Sequence, residues 1–127
     1  MFKFKPFGPF EIPIVDGEVA KTELNDFWKT VEGARPGLQD AVGCYIFATY
    51  TRDTARPWYV GKTEKASFKR EAFQLQKLEH YRTVLKTHKR GISQLYLIIS
   101  SQKCKKPADC ADLERMAFFR FANLRNY

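Results

Sequence analysis

Glu114 is the carboxylate whose sequence surroundings point most directly to chemistry. On a helix, its neighbours at minus four, plus three, plus four and plus seven are Cys110, Ala117, Phe118 and Phe121. A carboxylate inside such an apolar stripe loses hydration. Burying its charge without a partner is costly, so it requires a cation, a hydrogen-bond donor or a proton. Two roles meet that requirement: the anchor of a structural salt bridge, or a functional carboxylate. Tyr45 and Tyr59 form a second pair, each in a strand-like segment and each beside a glycine, in Gly43-Cys44-Tyr45 and Tyr59-Val60-Gly61. Tyrosines in strands serve packing as well as chemistry. Glycine at a strand end permits close approach of backbone or ligand.

Other groups exclude chemistries. Gly61-Lys62-Thr63 lacks the upstream glycine of a phosphate loop, which argues against a nucleoside-triphosphate site. His80 and His88 stand eight residues apart, two turns along one helix. They therefore do not chelate one ion as an i, i+4 pair does, and both read as surface or hydrogen-bonded residues. Cys44, Cys104 and Cys110 make an odd count without close-spaced metal pairs. That pattern fits a reduced, cytoplasmic protein with neither a disulfide framework nor a zinc site. The serines have no partners that suggest a catalytic triad.

The elements that must hold these residues follow from periodicity and punctuation. Residues 43–51 are rich in β-branched and aromatic side chains and read as a strand. Residues 58–60 read as a second strand, joined to the first by a loop of roughly six residues as an antiparallel hairpin. Over 66–88, Phe68, Ala72, Leu75, Leu78, Tyr81 and Leu85 recur at steps of three or four and predict one amphipathic helix, which Gly91 stops. Residues 92–100 form a third strand, apolar on both parities as expected when both faces are covered. Residues 103–106 form a basic loop, and Pro107 opens a last helix to about residue 122.

Upstream, Pro6 and Pro9 interrupt a phenylalanine-rich start. Residues 11–15 make a short edge strand, because Pro13 cannot donate to a central ladder. Asp16-Gly17 is a turn, and 21–32 a helix with Leu24, Phe27, Trp28 and Val31 on one face. The expected architecture is α/β of the α+β kind: a small, three-stranded, mainly antiparallel sheet flanked by helices. Residues 1–38 form an N-terminal extension packed on a domain spanning 39–127. A chain of 127 residues fits one such domain. It has no run near the ~20 apolar residues that a bilayer span requires, and its start does not read as a signal peptide.

Charge is uneven along the chain. Residues 1–61 carry seven Lys/Arg against eight Asp/Glu, a net of −1, whereas 62–106 carry twelve against three, a net of +9. The remaining residues balance at three and three. A localised basic stretch is the electrostatic footprint of a polyanion partner, although a solvated, lysine-rich helix face produces the same pattern.

Together these residues resemble the GIY-YIG nuclease family. Gly43-Cys44-Tyr45 followed by Tyr59-Val60-Gly61, on a hairpin that leads into a basic helix, is similar to the paired elements that name the family. Glu114 on the last helix matches its metal-binding glutamate, and Asn126 its closing asparagine. The resemblance covers residues 43–126. It implies phosphodiester hydrolysis in DNA, in preference to RNA, at a single magnesium or manganese ion held by Glu114. Tyr45 and Tyr59 would line the site, Arg70 would stabilise the pentavalent phosphate, and Asn126 would brace it. Lys62, Lys69, Lys86, Lys89 and Arg90 would contact the nucleic acid. A carboxylate-held metal with a guanidinium fork suits phosphoryl transfer, which depends on positioning and charge neutralisation. The family pattern sets its arginine three residues after the aromatic, where this chain has Glu71; Arg70 stands one residue earlier. A histidine one turn later and a proline before the asparagine are also replaced. The alternative expectation is a module of the same fold that binds nucleic acid or a protein without cleaving.

Overall fold

The β-branched and aromatic run at Gly43–Thr51 forms β4, the central strand of the protein, and Thr54–Lys62 forms β5 beside it. In this computed structural model, residues 4–63, 65–88 and 90–100 are described. The expected last helix at 107–122, the basic loop at 103–106, Lys89, Glu114 and Asn126 lie outside them. The β4–β5 connection is tighter than the expected six-residue loop. Arg52 and Asp53 both take positive φ, at 53° and 64°, the conformation of a two-residue hairpin turn whose twist matches the flanking strands. The strand therefore begins at Thr54 and runs through Pro57. Proline is tolerated there because β5 lies at the sheet edge.

Ile92–Ser100 forms β6, antiparallel to β4, with Tyr45 opposite Leu97 and Phe47 opposite Leu95. The sheet has four strands rather than three. Phe4–Glu11 forms β1 and pairs antiparallel with β6 on its other side, giving the order β1-β6-β4-β5. Pro6 and Pro9 do not prevent this because β1 is also an edge strand. A register shift between Phe7 and Phe10 absorbs the irregularity around Gly8, whose φ of +118° favours glycine. Downstream of Pro13, the expected single strand over 11–15 is replaced by a small hairpin. Ile14–Val15 (β2) pairs with Glu18–Val19 (β3) around Asp16-Gly17, the turn expected there.

Leu24–Ala34 forms α1, which buries Phe27, Trp28 and Val31. The amphipathic stretch over 66–88 is two helices rather than one: Phe68–Glu71 (α2) and Leu75–Thr87 (α3). Their separation has a physical cause. The buried Tyr81 hydroxyl donates to the Ala72 carbonyl at 2.9 Å, and Phe73 turns into an aromatic cluster with Phe27, Trp28 and Tyr81. Gln74, in extended conformation, then caps α3.

Both faces of β4 are apolar, as its sequence demands. On one, Tyr45 and Phe47 join Leu95 and Leu97 beneath Phe27, Val31, Phe68 and Tyr81. On the other, Cys44, Ile46 and Ala48 join Ile98, with Val60 and Tyr96 packed against them. No described helix contributes to this second cluster. No helix among the described residues is long and apolar enough to cross a membrane.

Candidate functional site

Pairing of β4 with β5 sets the two glycine–tyrosine triplets against each other. Tyr45 stands opposite Gly61, and Phe47 opposite Tyr59. The Tyr45 and Tyr59 rings lie 6.1 Å apart at 39°. Gly61 is required by this geometry, since a Cβ there would overlap the Tyr45 ring. Gly43 is required for a different reason. Its φ is +157°, and a Cβ would meet the Ile98 carbonyl and the Phe68 ring.

Thr63 ties the open end of the hairpin. Its buried hydroxyl accepts from the Gly43 N–H at 2.9 Å, while its own N–H donates to the Gly43 carbonyl at 2.8 Å. The residue read as the tail of a failed phosphate loop is thus a backbone clamp.

A third phenol completes the cluster. Tyr81 stacks on Phe47 at 4.2 Å and meets Tyr59 edge-on at 6.2 Å. Burial pushes its phenol well above the usual tyrosine range, and the proximity of Tyr45 and Tyr59 adds to the shift. Tyr81 is therefore a neutral hydrogen-bond donor at physiological pH. Tyr45 is 1% exposed and Tyr59 half-buried, so Tyr59 is the more accessible of the predicted pair.

Arg70 is not brought into this cluster. It lies exposed on α2, where its backbone N–H meets the Ser67 cap at 3.3 Å. Among the described residues its guanidinium has no hydrogen-bond or ion-pair partner. The predicted basic residues spread over several elements. Lys62 is half-buried at the end of β5, Lys69 is exposed on α2, and Lys86 and Arg90 are exposed at and beyond the end of α3. The Gly37 and Gln39 N–H groups, each at 2.8 Å, lower the Glu32 carboxyl, and Lys69 adds a small part.

No group of three or more His, Cys, Asp or Glu among the described residues is placed to hold a metal ion. The described part of the site therefore supplies no donor set for magnesium or manganese, and a metal would depend on Glu114. Comparisons with family models, curated proteins and solved structures find no match for this chain.

Sequence reasoning missed the partners of the two histidines. The β4–β5 register shifts by one residue between Phe47 and Ala48, which pair with Tyr59 and Pro57 and leave Trp58 as an extra residue. Such a bulge re-aims a side chain. Trp58 and Tyr59 consequently both face α3, Trp58 stacked on His88 at 4.1 Å and Tyr59 on His80 at 5.1 Å. The Trp58 indole N–H donates to Thr49 Oγ1 at 2.8 Å, which fixes the ring. Beside it opens a cleft of about 650 Å³, bounded by the hairpin tip and the end of α3.

Proposed function

We propose that this chain acts on nucleic acid as a metal-dependent phosphodiesterase of the GIY-YIG type. The observation that carries the reading is the opposition of the two triplets across β4 and β5: Tyr45 faces Gly61, and its ring lies 6.1 Å from that of Tyr59. In this reading Tyr59, the more accessible phenol, orients the attacking water. Tyr45, held against Gly61, fixes the position of Tyr59. Arg70 would supply a guanidinium to the phosphate, and Asn126 would brace the site. A magnesium or manganese ion at Glu114 would neutralise charge on the phosphate. The excess of basic residues over 62–106 supports a polyanionic substrate.

A second reading is a nucleic-acid binder that does not cleave. The near-complete burial of Tyr45 and the exposure of Arg70 favour it. Cleavage of plasmid DNA and of RNA, with and without magnesium, separates the two when Glu114→Gln is run beside wild type. The nuclease reading expects magnesium-dependent cleavage by wild type, its abolition in Glu114→Gln, and retained binding in that variant. A wild type that binds but never cleaves, together with a Glu114→Gln protein that melts earlier, would establish Glu114 as a structural ion-pair anchor and the chain as a binder.

A further inference from the structure

The cleft beside Trp58 has a composition that neither the tyrosine cluster nor the fold explains. Arg52, Arg56, Lys86 and Arg90 line it together with the Trp58–His88 stack, and no carboxylate does. None of these four cations has an ion-pair partner among the described residues. The carboxylate nearest in sequence, Asp53 at the hairpin turn, is held away: it accepts from the Tyr50 hydroxyl at 2.9 Å. Tyr50 lies on the opposite parity of β4 from Thr49 and Thr51, which line the cleft.

Two contacts join the walls of the cleft. Thr51 Oγ1 donates to the Arg90 carbonyl at 3.5 Å, joining the hairpin tip to the turn that precedes β6. Gly91 permits that closeness, since its φ is +111° and a Cβ would overlap Thr51 Oγ1. Arg56 lies over the Trp58 ring at 5.7 Å, which holds its guanidinium at the rim. The C-terminal end of α3 also points here, and a helix C-terminus carries about half a negative charge. Four formal positive charges outweigh it, and the Thr54 hydroxyl adds a donor. Like charges gathered without a counter-ion repel one another. An anion seated among them relieves that repulsion and receives charge-assisted hydrogen bonds, with arginine forks matching phosphate oxygens.

We propose that this cleft is a clamp for a backbone phosphate of nucleic acid, held by Arg52, Arg56, Lys86 and Arg90. The assignment to nucleic acid rather than another phosphorylated polymer rests on the reading above. The Trp58–His88 stack, and not the phenols, borders the clamp, so it holds a strand rather than reacting with it.

The test is binding of a short, fluorescein-labelled DNA duplex without divalent metal, followed by anisotropy over a range of salt. Arg56→Gln/Arg90→Gln is compared with Lys21→Gln/Lys29→Gln, which removes the same charge from the region of α1. The clamp predicts at least a tenfold loss of affinity at about 0.1 M salt for the first pair. Its salt slope should fall by about two, because each phosphate contact contributes about 0.9. The control pair should bind within about twofold of wild type. In a Trp28→Phe background, Trp58 is the remaining tryptophan, and its emission should change on DNA addition. Equal, small losses for both pairs, with Trp58 emission unmoved, would overturn the clamp. A phosphoserine peptide that binds through Arg56 and Arg90 where DNA does not would overturn the assignment to nucleic acid. Wild type that binds DNA at this cleft but never cleaves keeps the clamp and removes only the nuclease reading. Cleavage by wild type with DNA binding unaltered by Arg56→Gln/Arg90→Gln does the reverse.

Discussion

Trp58 and His88 lie face to face, with ring centroids 4.1 Å apart and planes at 27°. The pair joins the edge strand β5 to the last turn of α3. It exists because the strand carries one extra residue, which turns Trp58 to the same side as Tyr59. Stacked aromatic pairs contribute about 0.5–1.5 kcal/mol beyond the area they bury. His88→Ala should therefore lower unfolding free energy by about 1 kcal/mol in urea denaturation, and His88→Phe should recover most of it. Equal midpoints for wild type and His88→Ala would show that the stack carries no stability.

Tyr81 donates from a fully buried position to the Ala72 carbonyl, where α2 ends. Removing that donor strands a buried acceptor, at a cost of about 1–3 kcal/mol. Tyr81→Phe should be destabilised by that amount at neutral pH. The phenol also predicts a pH dependence with a definite sign. Its folded pKa is raised, chiefly by burial, above the unfolded value near 10. The folded state thus holds the proton more tightly. Stability is fully present below about pH 10 and falls as pH rises from there toward the folded pKa. Tyr96, raised by burial and by Tyr50, acts in the same direction. Urea midpoints measured from neutral to alkaline pH should fall less steeply for Tyr81→Phe than for wild type. An unchanged alkaline slope in that variant would remove Tyr81 as the cause.

Gly61 and Tyr45 are coupled by shape, since the ring occupies the space a Cβ would need. Gly61→Ala should cost about 1–3 kcal/mol by overpacking. In a double-mutant cycle with Tyr45→Leu, the two losses should sum to more than the double variant shows, because the smaller side chain accommodates the methyl. Additive losses would mean that the backbone moves and the ring does not.

Arg70 stands exposed on α2, one residue before the position the family pattern uses. If it serves the phosphate, Arg70→Lys should lose most cleavage at unchanged melting temperature, because lysine keeps the charge but not the planar fork. Cleavage at the wild-type rate in Arg70→Lys would remove the residue from the mechanism.

What was legible in the sequence rests on local rules. The strands at 43–51 and 92–100, the turn at Asp16-Gly17 and the buried face of α1 follow from periodicity and turn chemistry acting over a few residues. The antiparallel pairing of the two triplet-bearing segments was legible too, but the opposition of Tyr45 and Gly61 was not, because it depends on the register shift between Phe47 and Ala48. Tertiary structure decided the rest. Whether prolines at 6 and 9 forbid a strand depends on whether it lies at an edge, and only the assembled sheet makes β1 an edge. The periodicity of 66–88 runs unbroken, yet the Tyr81 hydroxyl, bonded to the carbonyl of Ala72, marks where it divides into two helices. The side to which Trp58 points is set by a one-residue shift of register that alternation alone cannot reveal, since each slip of one residue exchanges the faces of a strand. That shift gathers Arg56, Trp58, His88 and Arg90, residues distant in sequence, around one cleft.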